Sequence, residues 1–342
     1  MTIDSAVRRR QLRVVVAGTL GGAAFGLGYV LALAPWSAGA ALRGLAAGAA
    51  IAFGVTAMET VGRASAIGRA LRRLPFTAFV LAKTALWLTW ILAVLAVVRQ
   101  FAPALERGAF FLVGDVAYSL AVSLLVISVM EVDRLLGHGV LWRLVTGRYH
   151  RPVIEERAFL LLDLVGSTAI AERIGDERFL ALLDRVITDV SEDIAAHDGE
   201  IYRYVGDSII VSWPVARAVE ESRIVRCLVA VSARMGVHRP AYEREFGVSP
   251  TGRAALHAGP IAIGEVGVLR REITFLGDTL NTASRIEQEA RRFGRYALIS
   301  GDLLERIALP DGVRAVPLGE VALHGKARPV ELHALEWGEP RD

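Results

Sequence analysis

Two aspartates stand where a carboxylate needs a reason. Asp163 closes the apolar run Ala158-Phe159-Leu160-Leu161-Leu162, and the chain stops soon after at Gly166-Ser167-Thr168. The run reads as a buried strand and the Gly-Ser-Thr as a tight turn into a helix N-cap. An unpaired carboxylate there would cost on the order of several kcal/mol, so Asp163 needs a cation, a metal or a set of N–H donors. Asp207 lies in Gly206-Asp207 between the β-rich runs Ile201–Val205 and Ser208–Val211. That arrangement reads as a hairpin with the carboxylate at its tip. A further pair, Asn281 and Arg285, is spaced four apart and so shares one face of the helix expected over Asp278–Arg292.

The elements that must position these groups follow from Arg157 onward. A strand to Leu164 leads to helices through about Ala196, the hairpin around Asp207, and a helix from Ala216 to Met235. A strand pair is expected at Gly252–Val268, then the helix over Asp278–Arg292, then short strands to Glu336. Strands and helices mixed in this way over about 180 residues suit one α+β domain, and a hairpin between helices points to a ferredoxin-like core. Backbone N–H groups of Val165, Gly166, Ser167 and Thr168, opening a helix, are placed to cradle phosphate.

Together, Asp163-Leu164-Val165-Gly166-Ser167-Thr168, Val205-Gly206-Asp207, His257-Ala258-Gly259 and Phe275-Leu276-Gly277-Asp278-Thr279-Leu280-Asn281-Thr282-Ala283-Ser284-Arg285 strongly resemble the catalytic domain of class III nucleotidyl cyclases. The resemblance covers nearly all of Arg157–Glu336, with the motifs in the family's order. It implies that a ribose 3′ oxygen attacks the α-phosphorus in line while pyrophosphate leaves. Two divalent cations per site, Mg²⁺ or Mn²⁺, would be held by Asp163, Asp207 and the Leu164 carbonyl, since such ions prefer hard oxygen ligands. By the same resemblance Asn281 orients the ribose, Arg285 stabilises charge on the transferred phosphoryl group, and Lys326 reaches the β and γ phosphates.

Base choice is where the chain departs from the family pattern. Adenylyl cyclases usually place a Lys three residues before the Gly of the second metal motif and an Asp or Thr three before the Gly of the Asn motif. Here those positions hold Arg203 and Thr274. Thr274 resembles a Thr-type subgroup that makes cyclic AMP, and its hydroxyl can accept from the adenine amino group. Arg203 keeps the donor and changes its shape. The guanylyl pattern of Glu and Cys is absent, so the expected substrate is ATP. Family geometry splits each site between subunits, which implies a homodimer with two equivalent sites. The alternatives are a guanylate cyclase and a catalytically silent cyclase-like receptor or nucleotide sensor.

The chain has 342 residues and a hydrophobic fraction of 53%, with the excess gathered in its first third. Four apolar stretches, 14–34, 41–57, 74–98 and 109–130, are each close to the length that spans a bilayer as a helix. The expected organisation is therefore a four-span transmembrane anchor over 1–131, a juxtamembrane coupling linker over 132–156 and the catalytic domain over 157–337. Arg8, Arg9, Arg10 and Arg13 precede the first stretch, and Arg63, Arg69, Arg72 and Arg73 fill the second connection. The positive-inside rule then puts both termini in the cytoplasm and the anchor in the inner (plasma) membrane as a multi-pass protein. A signal would enter through these helices.

Small residues in Gly21-Gly22-Ala23-Ala24 and Gly44-Leu45-Ala46-Ala47-Gly48 would let helices approach closely. Lys83, Asp115 and Arg43 are ionisable groups within the stretches, and Lys83 could pair with Asp115. None of the 7 histidines lies in a span, which argues against haem held between the helices. The net charge of +3, with arginines clustered where a membrane accounts for them, gives no case for nucleic-acid binding. Cys227, the single cysteine, forms no intrachain disulfide.

Overall fold

The computed structural model describes residues 3–33, 37–60, 74–101, 113–114, 116–122, 124–125, 128, 148–268 and 271–338. The chain divides into two compact units, one of residues 4–132 and the other chiefly of residues 133–342.

In the first unit α1 (Ile3–Leu33), α2 (Ala38–Thr60) and α3 (Phe76–Arg99) contain segments long and apolar enough to cross a membrane: Leu12–Ala32, Ala38–Glu59 and Leu81–Arg99. Within the expected stretch 109–130 the described residues 113–114, 116–122, 124–125 and 128 are helical, and residues 132–147 of the expected linker lie outside the described residues. The small-residue faces do let helices meet. A Cβ on Gly26 would stand 2.0 Å from the Gly44 carbonyl oxygen, and one on Gly48 would stand 2.1 Å from that of Gly22. Backbones this close are how helices gain packing where lipid removes the hydrophobic drive. On α3, Trp90 donates from Nε1 to the Ala50 carbonyl at 3.2 Å, over Gly54. Lys83 pairs with Glu59 at 2.8 Å, whereas Asp115 lies outside the described residues.

The second unit is built on one curled sheet with strand order β2-β3-β1-β4-β6-β8-β7 and β5 added to β4. Its strands are β1 (Val153–Leu164), β2 (Glu200–Val205), β3 (Ser208–Pro214), β4 (Gly252–Val266), β5 (Glu272–Leu276), β6 (Ala297–Ser300), β7 (Val313–Val321) and β8 (Val330–Trp337). Central β1 runs antiparallel to both β3 and β4. Both of its faces are covered, which is why its sequence is a continuous apolar run instead of an alternating one. Ala158, Leu160, Leu162 and Leu164 point into the main core, and Phe159 and Leu161 into a second cluster on the opposite face.

The main core is closed by α5 (Asp176–Ala196) and α6 (Arg223–Phe246). Leu182, Val186, Val190 and Ile194 recur every fourth residue on α5 and are all buried. The opposite face carries β5 and α7 (Asp278–Arg292), with Phe275 and Ala283 packed against Phe159 and Ile261. Between β1 and α5 lies the short α4 (Ser167–Ile174).

Three boundaries differ from the sequence reading. β1 starts at Val153, and Tyr149 is already buried in the domain, so the domain reaches into the segment expected as linker. α6 runs on past Met235 to Phe246, through Pro240, because Tyr242 and Phe246 are core residues. Gly252–Val266 is one long strand instead of a pair: its first half pairs with β6 and its second with β5.

Candidate active site

The β1–α4 turn and the β2–β3 hairpin bring the two aspartates together. Gly206 takes a left-handed φ of 62°, which lets Gly206-Asp207 form a two-residue turn between Val205 and Ser208. The next residue, Ser208, donates to Asp163 Oδ1 at 2.6 Å. Burial, opposed in part by that hydrogen bond, raises the Asp163 pKa, and the neighbouring Asp207 charge raises it further. Asp207 Oδ2 is buried without a hydrogen-bond partner. A buried acceptor with no donor, beside a second carboxylate, is the arrangement that a cation stabilises.

Two further residues complete this cluster. Arg253 is the β4 partner of Asp163 in register, and it pairs with Glu287 of α7 at 3.6 Å. The Glu287 pKa is raised by burial and then by Asp163, with Asp207 adding to it. Three carboxylates against one guanidinium leave an excess of negative charge, which a divalent ion offsets. Among the described residues no group of three His, Cys, Asp or Glu side chains is set to hold a metal by itself. The two aspartates therefore fit a divalent ion whose remaining oxygen ligands come from backbone, water and substrate phosphate. Leu164 is buried through its side chain and can contribute only its carbonyl.

The phosphate cradle is narrower than the sequence implies. Val165 N–H is committed to the Thr251 carbonyl at 2.9 Å, which removes it as a donor. Gly166, at φ 69°, is the N-cap of α4 and offers no side-chain cap, so the first-turn N–H groups from Ser167 and Thr168 onward are left for a ligand.

Asn281 and Arg285 form a different face of α7. Arg285 Nη1 is buried without a hydrogen-bond partner, and its guanidinium lies under the loop His324-Gly325-Lys326. A Cβ on Gly325 would stand 3.2 Å from Arg285 Nη2, and Gly325 has φ 69°, so the backbone favours glycine there and a side chain would press on the guanidinium. Lys326 is hydrogen-bonded to Asp278, whose pKa it lowers. Asp278, Asn281 and Arg285, spaced three and four apart, thus share a face with Lys326. Residues two apart on a helix point in opposite directions, so Glu287 meets the metal-type carboxylates while Arg285 turns away from them.

Arg203 and Thr274 lie on β2 and β5. Arg203 donates from Nη2 to Glu272 Oε2 at 2.6 Å, and Thr274 is half-buried opposite Gly264. His257 is a packing residue: its Nδ1 meets Ser300 Oγ at 2.8 Å, and burial pushes its pKa down to about 4. Sequence reasoning missed Ser208, Arg253, Glu272 and Glu287 as parts of the site. Only Ser208 carries a local signal, its adjacency to Asp207.

A family model described as "Adenylate and Guanylate cyclase catalytic domain" matches residues 151–336. Adenylate cyclase 2 of Rhizobium meliloti (strain 1021) is 40% identical over 221 residues, covering 65% of this chain and 61% of that protein. Adenylate cyclase 1 of the same organism is 31% identical over 185 residues, 53% of this chain and 27% of that protein. The chain thus spans less than two thirds of either relative. A bacterial light-regulated adenylyl cyclase of known structure shares the fold, with a TM-score of 0.53 at 16% identity over 65% of each chain.

Proposed function

The chain belongs to the adenylate and guanylate cyclase catalytic-domain family, and from that premise we propose that it is a membrane-anchored adenylate cyclase acting as a homodimer. In this reading ATP becomes 3′,5′-cyclic AMP: the ribose 3′ oxygen loses its proton, bonds to the α-phosphorus and displaces pyrophosphate. Two divalent cations, Mg²⁺ or Mn²⁺, would supply Lewis-acid chemistry and charge neutralisation at this site when bound. Asp163, Asp207 and the Leu164 carbonyl hold them, with Ser208 fixing the Asp163 rotamer. Gly166, Ser167 and Thr168 meet the triphosphate through backbone N–H groups, and Lys326 reaches its far end.

The observation that carries the shared-site reading is the split on α7. Glu287 pairs with Arg253, the register partner of Asp163 in its own chain, while Arg285, two residues earlier, lies under the Gly325 loop. One chain therefore keeps its metal half and its Asn281–Arg285 half apart. A second copy supplies the missing half to each, giving two equivalent sites. Arg285 then stabilises phosphoryl charge and Asn281 orients the ribose, both across the interface. Arg203 and Thr274 face the base, and the Thr274 hydroxyl accepts from the adenine amino group.

Anchoring rests on the three apolar helices and on the fourth stretch, 109–130, read from sequence. The arginine clusters at 8–13 and 63–73 support a cytoplasmic N-terminus and catalytic domain by the positive-inside rule. The test is product formation by the purified chain with ATP and GTP offered separately in Mg²⁺ or Mn²⁺. Cyclic AMP that is lost in Asp207→Ala supports the assignment; cyclic GMP as the main product contradicts the choice of base, and no cyclic product from a folded dimer contradicts the activity.

A further inference from the structure

β2 is irregular next to Arg203. Ile201 pairs with Val211 and Arg203 with Ile210, so Tyr202 is an extra residue with no partner opposite. A bulge of this kind re-aims neighbouring side chains, here turning both Tyr202 and Arg203 toward the face that carries β5. Tyr202 stacks on Phe275 of β5 with ring centroids 4.2 Å apart and planes 4° apart, and its hydroxyl accepts from the Phe275 N–H at 3.0 Å. The Arg203 guanidinium lies 5.3 Å from the Tyr202 ring centroid and is held by Glu272 at 2.6 Å. Glu272 and Thr274 are alternate residues of β5, hence on one face.

We propose that Glu272 is a positioning residue for base selection, setting Arg203 so that the site takes adenine and refuses guanine. The proposal rests on the reading of Arg203 and Thr274 as the base-facing pair. The side chains of Arg203 and Glu272 are 43% and 37% exposed, so their ion pair contributes little to stability and the fold does not require it.

Its chemistry bears on the base instead. A free guanidinium offers two parallel N–H groups, which match the adjacent acceptors O6 and N7 of guanine. Adenine shows an acceptor beside a donor, N7 next to its amino group. With Glu272 against Nη2, Arg203 comes as a donor beside an acceptor, which suits adenine and sets a carboxylate against guanine O6. Arginine at this position admits guanine by itself; Glu272 closes that route.

The experiment compares the unaltered full chain with Glu272→Ala and Glu272→Gln. It uses initial rates with ATP and GTP, equilibrium binding of 3′-deoxy-ATP and 3′-deoxy-GTP, which lack the attacking oxygen, and thermal unfolding as the folding control. Glu272→Ala is expected to lower the ATP-to-GTP preference about tenfold in both readouts, through KM more than kcat. Glu272→Gln, which keeps an acceptor oxygen, should fall between. A binding preference that moves less than threefold overturns the proposal. So does a rise in preference for ATP, which would make Glu272 an acceptor for the amide edge of guanine. The unaltered chain reports on the underlying reading separately: absence of product contradicts the activity, while the 3′-deoxy nucleotides still decide the role of Glu272.

Discussion

Ser208 donates a hydrogen bond of 2.6 Å to Asp163 Oδ1 and so ties the hairpin that carries Asp207 to the end of the strand that carries Asp163. Partners that orient metal ligands are typically worth about 10-fold to 100-fold in affinity. Ser208→Ala should therefore raise the Mg²⁺ or Mn²⁺ concentration for half-maximal activity about tenfold with the fold intact. Metal titrations of activity and of melting temperature check this, and an unchanged half-saturation point would remove Ser208 from the metal site.

The same carboxylates work against the fold without a cation. Burial and Asp207 raise the Asp163 pKa, so the folded chain binds its proton more tightly than the unfolded one. Stability from this group consequently falls as pH rises through the carboxylate range. At neutral pH, Asp163→Asn should raise the melting temperature of the metal-free protein while abolishing activity. Divalent cation should stabilise the unaltered chain and leave the variant unmoved.

His257 has the opposite slope. Its folded pKa of about 4 lies below the unfolded 6.5, so the unfolded state binds more protons between these values. Stability from His257 is full above pH 6.5 and falls as pH drops toward 4, by about 3 kcal/mol at most from that difference. His257→Asn should flatten this part of the pH profile of unfolding. A profile that keeps its slope would place the acid sensitivity elsewhere.

Lys326 is engaged by Asp278. If its work is to meet the distal phosphates, Lys326→Ala should raise KM for ATP about tenfold with a smaller change in kcat, a single charge-assisted contact being worth roughly that much. Asp278→Asn frees Lys326 and should lower KM. Steady-state kinetics of the two variants, moving in opposite directions, test the assignment.

Within the apolar helices Lys83 and Glu59 meet at 2.8 Å with side chains 14% and 7% exposed. Removing one partner of a buried ion pair costs about 3–5 kcal/mol. Lys83→Met should lower yield and melting temperature in detergent, and Lys83→Met with Glu59→Gln should recover most of the loss.

Asp163, Asp207, Asn281 and Arg285 were singled out in the sequence because each stands in a local pattern: a carboxylate ending an apolar run, a hairpin tip, a pair four apart on a helix. Glu272 was not, because its meaning depends on Arg203, 69 residues earlier in the chain, and on a bulge that sequence does not announce. Val165 was read as a phosphate donor since nothing local shows that the Thr251 carbonyl takes its N–H. The long β4 was read as a strand pair over Gly252–Val268, a stretch that contains Gly259-Pro260. In the fold Pro260 continues the strand and its carbonyl accepts from Thr279 at 2.6 Å, while a Cβ on Gly259 would stand 2.8 Å from Thr279 Oγ1. Tertiary contact overrides the local preference there.

The most direct measurement mixes two inactive chains, Asp163→Ala and Arg285→Ala, and reads cyclic AMP. If each site takes its metal half from one chain and its Asn281–Arg285 half from the other, a mixed dimer has one intact site. Random assembly makes half the dimers mixed, so activity should return to about one quarter of that of the unaltered chain. No recovery, with mixed dimers confirmed by differential tagging, would contradict a shared catalytic site.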